Sequence, residues 1–459
     1  EYRRQRQMCI RDRSYNEAIA SNLKDRWIAS MELELGALMK HDTWKLVSIN
    51  DVPHNRKIVT SRFVYTIKYN RDGTVERFKS RFVACGYSQV KGFDYESTFS
   101  ATLRSTSFRM LCAIAAGKKL TLEHFDVTNA FTQSDIDAEI YVQAPPGQFT
   151  PKDHQGRPKV LLLKKALYGT VQAAMLFWEN LSTLLIKNWE FEVNPYDPFV
   201  ANKMIDGTQF TIVWHVDDLK ISYKDEKEVS KFIIDLSRIY GKKISVHRGK
   251  VHDYLGMDLD FSTPGRVRVS MIKYLSKIIN AFPEVIKSTA ETPAAEHLFQ
   301  TRDGDPTQKL LPEEQAQAFH HTVAQLLFMA MRARPDIQTA VAFLTKRVRK
   351  PDEDDWGKLK RVLKYLKGTW HLKLTLTVEN MSTIRWWVDA AYGVHMDCKG
   401  HTGMMMTLGK GATMSFSRSQ KLNVHSLTEA ELIGLDDAIP DILWGCYFRE
   451  AQGLSLIHK

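Results

Sequence analysis

The sequence predicts an α+β fold built from several domains, and three observations support this prediction. The chain has 459 residues, 44% of them hydrophobic, and a prior of about 150 residues per domain predicts roughly three domains. Alternating apolar residues bounded by turn residues predict β-hairpins in the first half. Apolar residues spaced three and four apart predict mainly helices after about residue 225.

The composition favours a polyanionic partner. The formal net charge is +11 and the sequence pI is about 9.2, which favours nucleic acid or an anionic membrane surface without choosing between them. No apolar run approaches the ~18 residues of a membrane helix, so we expect no membrane association. The five scattered cysteines favour a reducing compartment. His395, Cys398 and His401 lack a fourth ligand at zinc-like spacing, which argues against a metal.

The two ends of the chain differ from the rest. Residues 1–14 begin EYRRQRQMCIRDR, and residues 454–459 read LSLIHK. Both resemble translated sequencing adapter, so we expect non-native segments and a gene cut at both ends. The alternative for the first segment is a natural basic arm.

Periodicity and turn residues predict the order of elements before residue 190. Asn70-Arg71-Asp72-Gly73 is a strong hairpin signal inside a basic segment, 57–86. The predicted helices span 22–40, 105–116 and 172–187. The predicted strands span 43–47, 58–68, 75–83, a short run ending at Asp126, 139–142 and 160–163.

The segment Phe210 to Tyr223 contains two β-rich runs that meet at Asp217-Asp218. Because aspartate pairs are poor strand residues, we predict a hairpin with both carboxylates at its tip.

The C-terminal half is predicted to be helical before a final α/β unit. Two helices are expected over 313–349, with a break near Pro335. A third covers 352–367, with acidic residues at its start, Gly368 as its C-cap and a basic face. That face is either solvated or follows a phosphate backbone. The last unit is predicted as strands 384–388, 402–408 and 412–418, then a helix from 428.

Asp126 and Asp217-Asp218 suit two-metal nucleotidyl transfer if their strands are neighbours. Such a reaction needs Mg²⁺ to activate a 3′-hydroxyl and to neutralise the departing pyrophosphate. Mg²⁺ prefers carboxylate oxygens. An isolated Asp-Asp turn is usually solvated, so the flanking residues must show whether this one is a metal site.

Four flanking segments resemble boxes of copia-type LTR retrotransposon Pol polyproteins, and they occur in that family's order. Asp126-Val127-Thr128-Asn129-Ala130-Phe131 is similar to its "DVxxAF" box, and Val216-Asp217-Asp218 to its "VDD" box. The segment 77–86 resembles its "R-x-KARLVAxG" box, and 167–173 its "LYGLKQA" box. The departures are His215 for the usual Tyr and Thr170-Val171 for the usual Leu-Lys.

This resemblance implies a role for each matching residue. Asp126, Asp217 and Asp218 would hold two Mg²⁺ ions, with Mn²⁺ as an alternative. Phe131 would exclude a 2′-hydroxyl, or would be a core residue. Lys79 and Arg81 would meet the triphosphate, or would lie on a solvated strand face. Gly169 and Gln172 would line the nucleotide pocket, with a helix-cap or surface role as the alternative for Gln172.

The resemblance also implies a right-hand polymerase followed by an incomplete ribonuclease H-like α/β domain. The predicted bounds are an N-terminal helix and strand (15–55), fingers and palm (56–260), thumb and connection helices (261–375) and the ribonuclease H-like part (376–453). Asp389 and Glu431 would be its first two metal ligands. No matching third Asp follows before residue 453, so we expect that ribonuclease H activity is lost.

Two functions remain open from the sequence. The first is an RNA- and DNA-templated DNA polymerase that uses primed templates and dNTPs, in cytoplasmic virus-like particles where it self-associates. The second is an inactive relic that binds template-primer without turnover. Nucleotide incorporation distinguishes them, since both predict salt-dependent binding.

Overall fold

The computed structural model describes residues 14–69, 74–96, 102–127, 129–241 and 244–454. The predicted Asn70–Gly73 turn, Thr128 and segments 1–13 and 455–459 lie outside the described residues. The fold divides into two compact units, each discontinuous in sequence. Unit 1 comprises Glu1–Thr102, Asp126–Phe191 and Asp235–Ile244; unit 2 comprises Leu103–Phe125, Glu192–Ile234 and Ser245–Lys459.

Most of the predicted helices and strands are present among the described residues, and further strands at 192–193, 200–205, 245–247, 374–377 and within 251–270 were not predicted. The helices are α1 (Tyr15–Ile19), α2 (Lys24–Lys40), α3 (Ser105–Gly117), α4 (Ala173–Trp189), α5 (Glu226–Ile239), α6 (Ile272–Ala281), α7 (Glu313–Ala330), α8 (Gln338–Arg347), α9 (Glu353–Gly368) and α10 (Leu427–Ala451). The first ten strands are β1 (Trp44–Ser48), β2 (Ser61–Tyr69), β3 (Val75–Ala84), β4 (Thr121–Asp126), β5 (Tyr141–Gln143), β6 (Lys159–Leu163), β7 (Glu192–Val193), β8 (Val200–Ile205), β9 (Thr208–His215) and β10 (Asp218–Tyr223). The remaining strands are β11 (Ser245–His247), β12 (Val251–Tyr254), β13 (Met257–Asp260), β14 (Arg266–Ser270), β15 (Leu374–Thr377), β16 (Arg385–Ala391), β17 (His401–Thr407) and β18 (Met414–Ser419).

In unit 1, helix α2 covers one face of the β2–β3 hairpin. The ring of Trp27 meets Tyr65 and Phe78 edge-on at 5.1 and 4.6 Å. The backbone N–H of Ser80 donates to Ser30 Oγ at 2.7 Å, which ties the helix to the strand. Because side chains alternate along a strand, the opposite face of β3 presents its basic residues.

Unit 2 contains a six-stranded sheet in the order β11-β4-β10-β9-β8-β7. Its central hairpin, β9–β10, is rich in fully buried apolar residues such as Trp214 and Ile221. Helix α3 is buried along nearly its whole length, from Ser107 to Ala116. A buried sheet of this kind holds its strand ends in fixed positions, which is a prerequisite for a precise site.

The prediction that the chain turns helical after residue 225 is wrong for one segment. A four-stranded antiparallel sheet, β12-β13-β14-β15, occupies much of 251–270 and adds a strand at 374–377. Its strands are only four or five residues long, which is too short for a periodicity window to detect. The predicted boundary at residue 260 falls between β13 and β14, which are hydrogen-bonded to each other.

Helix α9 confirms the predicted N-terminus but not the predicted cap at the other end. Asp352 is its N-cap and forms a reciprocal capping box with Asp355. The prediction that Gly368 caps the helix is wrong, because Gly368 is its last helical residue and Thr369 is the C-cap. Gly368 packs closely against the 282–311 segment, since an added Cβ would lie 3.2 Å from Thr289 Cβ.

The C-terminal part of unit 2 is a three-stranded antiparallel sheet, β16-β17-β18, packed against α10. Two glycines allow the close packing of the helix: a Cβ on Gly434 would meet Ala390 at 3.1 Å, and one on Gly445 would meet Trp386 at 3.0 Å. No helix in the described ranges has both the length and the apolar character needed to cross a bilayer.

Candidate functional site

The predicted hairpin tip lies where the sequence placed it. Asp218 pairs with His215 in the β9–β10 register, so the turn consists of Val216 and Asp217. Both aspartates are half-buried. Val216 has a φ of +58°, a left-handed conformation that costs a β-branched residue about 1–3 kcal/mol. The strained residue immediately precedes Asp217, so the strain lies in the turn that carries the predicted carboxylates.

Strand β4 lies next to β10 in the sheet and ends at Asp126. His124, two residues earlier on β4, is linked to Asp218, with 3.2 Å between Nε2 and Oδ1. The boundary between the two units falls just before Asp126, which belongs to unit 1, whereas the Asp217–Asp218 pair belongs to unit 2. Among the described residues, no three or more His, Cys, Asp or Glu side chains are grouped closely enough to hold a metal ion.

His215, the departure from the family pattern, lies at the end of β9 with a buried Nδ1 that has no hydrogen-bond partner among the described residues. Burial lowers its pKa below 6.5, although the charge of Asp218 opposes that shift. The ring is therefore neutral at pH 7, and it adds no positive charge beside the carboxylates.

Lys220 is a feature that the sequence analysis missed. It lies on β10 on the same face as Asp218 and is 1% exposed. Its Nζ is 4.7 Å from the centre of the Tyr254 ring and has no hydrogen-bond acceptor within the described part of the chain. Burial lowers its pKa to about 8. The available signal was the position of Lys220 between Leu219 and Ile221 in a predicted strand, although lysine is rarely fully buried.

Unit 1 gathers the predicted phosphate-binding cations on one face of the β2–β3 hairpin. Arg77, Lys79 and Arg81 alternate along β3, and Lys68 stands directly opposite Arg77. Burial lowers the pKa of Lys79, and the charges of Arg81, Arg77 and Lys68 lower it further. Like charges opposite each other destabilise a sheet. A bound polyanion would relieve that repulsion.

One aromatic ring, that of Tyr168, links this basic face to the predicted site residue Phe131. The guanidinium of Arg81 lies over the ring of Tyr168, 5.2 Å from its centre. Tyr168 in turn meets Phe131 edge-on, with ring centres 4.7 Å apart. The sequence analysis placed Tyr168 inside a family box but gave it no role. The structure shows it between two predicted site residues.

Gly169 occupies a position that only glycine fits. Its φ is +86°, and an added Cβ would overlap the carbonyl oxygen of Ala84 at the end of β3. A Cβ on the neighbouring Gly86 would lie 2.6 Å from the Gly169 carbonyl oxygen. Two glycines thus allow the 167–173 segment to lie directly against β3.

Gln172 is completely buried, and both polar atoms of its side chain form hydrogen bonds. Its Nε2 donates to the Asp94 carbonyl at 2.7 Å and to Asp137 Oδ1 at 3.0 Å, and its Oε1 accepts from Gln89 at 3.1 Å. Gln89 Oε1 in turn accepts from the Val171 N–H. This network fixes the start of α4 and the wall that carries Tyr168.

The predicted ribonuclease H remnant is exposed at both positions. Asp389 lies on β16 and Glu431 on α10, and neither side chain is buried. Ala390, next to Asp389, faces α10, so strand alternation directs Asp389 to the other face of the sheet. The role of Asp389 and Glu431 as metal ligands of a ribonuclease H site stays a prediction.

His395 and His401 form a buried pair. Their Nε2 and Nδ1 atoms are 3.0 Å apart, and His401 Nε2 also lies 2.7 Å from Ser417 Oγ. Phe299 packs on both rings. Cys398, between them in sequence, is exposed. Burial lowers both pKa values, and that of His401 falls to about 4.

This pair predicts acid destabilisation. Below pH 6.5 the unfolded chain binds protons that the folded pair excludes, so the free energy of unfolding falls as the pH drops from 6.5 towards 4. For His401 the loss is on the order of 3 kcal/mol. Urea unfolding at several pH values measures this loss of unfolding free energy, and the His401→Gln protein is the comparison. If the unfolding free energy changes with pH equally in both proteins, the loss does not come from His401.

Comparisons with known proteins support the family resemblance of the four sequence boxes. Residues 41–296 match the family described as reverse transcriptase (RNA-dependent DNA polymerase). The chain is 30% identical over 450 residues to a retrovirus-related Pol polyprotein from transposon RE2 of Arabidopsis thaliana, covering 96% of this chain and 29% of that protein. It is 28% identical over 446 residues to the corresponding polyprotein from transposon TNT 1-94 of Nicotiana tabacum, covering 96% and 33%. The chain therefore spans about a third of the length of these relatives.

Two solved structures are also similar. One is a foamy viral protease-reverse transcriptase in complex with dsDNA, with a TM-score of 0.46 and 13% identity over 94% of this chain and 73% of that one. The other is the dRH form of that protein with dsDNA, with a TM-score of 0.47 and 11% identity over 90% and 60%.

Proposed function

This chain belongs to the reverse transcriptase (RNA-dependent DNA polymerase) family, in a copia-type Pol polyprotein, and from that premise we propose that it extends DNA primers on RNA and DNA templates. The observation that supports this most strongly is the β9–β10 hairpin, which presents Asp217 and Asp218 at the end of a buried sheet beside β4.

We propose that Asp126, Asp217 and Asp218 hold two divalent metal ions, Mg²⁺ or alternatively Mn²⁺. Half-buried carboxylates on adjacent strands are the donor type that such ions prefer. The metals would lower the pKa of the primer 3′-hydroxyl and neutralise charge on the departing pyrophosphate. His124 holds Asp218 through its Nε2 contact, and the neutral His215 leaves the negative charge of the pair intact.

Unit 1 is proposed to bind the incoming nucleotide. Lys79 and Arg81 contact its triphosphate, because they belong to the four-cation face of the β2–β3 hairpin, where neighbouring positive charges lower the pKa of Lys79. Phe131 packs under the sugar and excludes a 2′-hydroxyl, supported by Tyr168. Gly169 and Gln172 line the nucleotide pocket, and the buried hydrogen-bond network of Gln172 fixes the wall that carries Tyr168.

The proposed partners are a primed RNA or DNA template and dNTPs. The basic excess of +11 supports a nucleic-acid partner. We also propose, from the family resemblance of the sequence boxes alone, that the protein self-associates in cytoplasmic virus-like particles.

Primer extension on an RNA template with Mg²⁺ tests the proposal. We expect dNTP incorporation that EDTA abolishes, together with template-primer binding that weakens steeply with salt. Binding without incorporation in a folded sample would favour the second candidate, an inactive relic. The His215 and Thr170-Val171 departures are the observations that favour that candidate.

Replacing Phe131 with alanine should relax sugar selection. Removing the ring opens space for a 2′-hydroxyl, so the ratio of dNTP to rNTP incorporation should fall by about 10- to 100-fold, the size of one pocket contact. Single-nucleotide incorporation kinetics measure the ratio. Phe131→Tyr keeps the ring and should keep the selection. Unchanged selection in the alanine variant would contradict the role of Phe131.

A further inference from the structure

Helix α9 is covered by a long irregular segment, residues 282–311, here called the strap. The strap follows the helix and is tied to it at several points. Glu284 accepts from Trp356 at 2.6 Å and from Lys360 at 3.1 Å. Further along, Thr292 Oγ1 accepts from Arg361 at 2.8 Å, and Gln308 donates to Asp352 at 3.2 Å. The basic face of α9 is therefore largely occupied by the strap rather than solvated.

One end of the strap is held to the rest of unit 2 by ion pairs. Arg347 binds Asp303 and Asp355 together, which lowers the pKa of Asp303 to about 2. Lys358 is buried, donates to the Gln300 carbonyl and pairs with Asp354 at 2.8 Å. These contacts fix the strap at a constant distance from the helix, so the space between them is preformed.

That space is a cavity of about 470 Å³ between strap residues 289–298 and one face of α9. Its volume lies within the range of small-molecule sites, roughly 300–1,000 Å³. One wall is apolar and includes Pro293, Ala294 and Leu298. The opposite wall carries Lys358, Arg361 and Lys364, which share a helix face because they are three residues apart. Two carboxylates also line the cavity: Asp354, which pairs with Lys358, and Glu291 on the strap.

Among the residues that the structure describes, Arg361 and Lys364 have no carboxylate partner. Arg361 bonds only to the neutral Thr292 hydroxyl, and its Nε is buried without an acceptor in the described part of the chain. No carboxylate of the described residues lies within ion-pair distance of Lys364. A buried guanidinium N–H without an acceptor is costly, and a bound anion would remove that cost.

Gly357 opens the cavity at its helical wall. A Cβ placed there would meet nothing within 4 Å, although glycine inside a helix costs about 1 kcal/mol relative to alanine. The fold of α9 does not require glycine at this position. Because Gly357 has no side chain, the space beside Arg361 stays empty.

From these features we propose that the strap cavity binds a nucleoside phosphate, with the phosphate on Arg361 and Lys364 and the nucleoside against the apolar wall. The guanidinium fork suits phosphate oxygens, and the cavity exceeds the size of a bare anion. The ligand is either a free nucleotide or the phosphorylated end of a nucleic-acid strand. This site is separate from the proposed polymerase site and does not depend on it.

Calorimetric titration of the intact chain in EDTA tests the proposal with dAMP, deoxyadenosine, inorganic phosphate and a 5′-phosphorylated oligothymidine as probes. We expect saturable binding of dAMP or of the phosphorylated oligonucleotide, at least tenfold tighter than that of deoxyadenosine or phosphate alone. Binding of dAMP identifies a free nucleotide as the ligand. Binding of the oligonucleotide alone, lost on removing its 5′-phosphate, identifies a strand end.

Two variants locate the binding. Gly357→Leu fills the cavity without changing charge and adds helix propensity, so it should weaken binding at least tenfold while leaving the chain folded. Arg361→Gln should weaken it similarly. Gly36→Leu is the matched control, since Gly36 also lies inside a helix with nothing near its Cβ position. Absence of saturable binding, or Gly357→Leu binding as tightly as Gly36→Leu, would overturn the proposal.

Discussion

Replacing Gly169 with alanine is expected to destabilise unit 1 by about 3 kcal/mol or more. The left-handed backbone at a φ of +86° disfavours any L side chain, and the new methyl would overlap the Ala84 carbonyl oxygen. Ala84 cannot move away freely, because its N–H donates to the Tyr168 carbonyl at 2.8 Å. Marginal stability makes a loss of this size a large fraction of the total.

Gly156→Ala is the matched control for this prediction. Gly156 lies in the same unit at a φ of +77°, but nothing lies within 4 Å of its Cβ position. The Gly156→Ala substitution should therefore lower the free energy of unfolding only by its backbone strain, about 1–2 kcal/mol. Hydrogen exchange of peptides that span β3 and thermal unfolding would compare the two proteins. Equal stability of both variants would show that the close approach of Gly169 to β3 does not matter.

The elements that could be predicted from sequence are those with strong local signals. The β9–β10 hairpin was predictable because two apolar β-rich runs flank an Asp-Asp pair that cannot lie inside a strand. Helix α9 was predictable from the acidic residues at its N-terminus and from its apolar stripe. The strands β11–β14 were missed because three to five residues show no period that a window can distinguish.

The candidate site residues could be named from the sequence, but their surroundings could not. Burial of Gln172 depends on Asp94, Asp137 and Gln89, which are distant in sequence. The stacking of Tyr168 between Arg81 and Phe131 likewise joins three separate segments. Contacts of this kind depend on the tertiary fold, whereas propensity and spacing describe only neighbours along the chain.

The largest effect on activity is expected from the hairpin carboxylates. Asp217→Asn and Asp218→Asn each keep the shape of the side chain but remove the negative charge that a hard divalent ion requires. The loss of a metal ligand removes several kcal/mol of transition-state stabilisation, so extension should fall by roughly 10³-fold or more. Asparagine at 218 can still accept from His124, so the sheet should remain intact.

Asp206→Asn is the matched control for both variants. Asp206 lies in the turn that joins β8 to β9 in the same sheet, with a φ of +48°. Asparagine tolerates that conformation as well as aspartate does, and the substitution removes the same single charge. We expect its stability and its primer extension to stay within about twofold of the unsubstituted chain, since the turn lies outside the proposed site.

The measurement that tests the proposed polymerase most directly is primer extension on an RNA template with Mg²⁺ by these variants, with template-primer binding measured in parallel. The account predicts that all variants bind template-primer, that the Asp206→Asn protein extends it normally, and that the Asp217→Asn and Asp218→Asn proteins do not. Extension that survives either substitution at the hairpin tip, or that falls equally in the Asp206→Asn protein, would contradict the assignment of Asp217 and Asp218 as metal ligands.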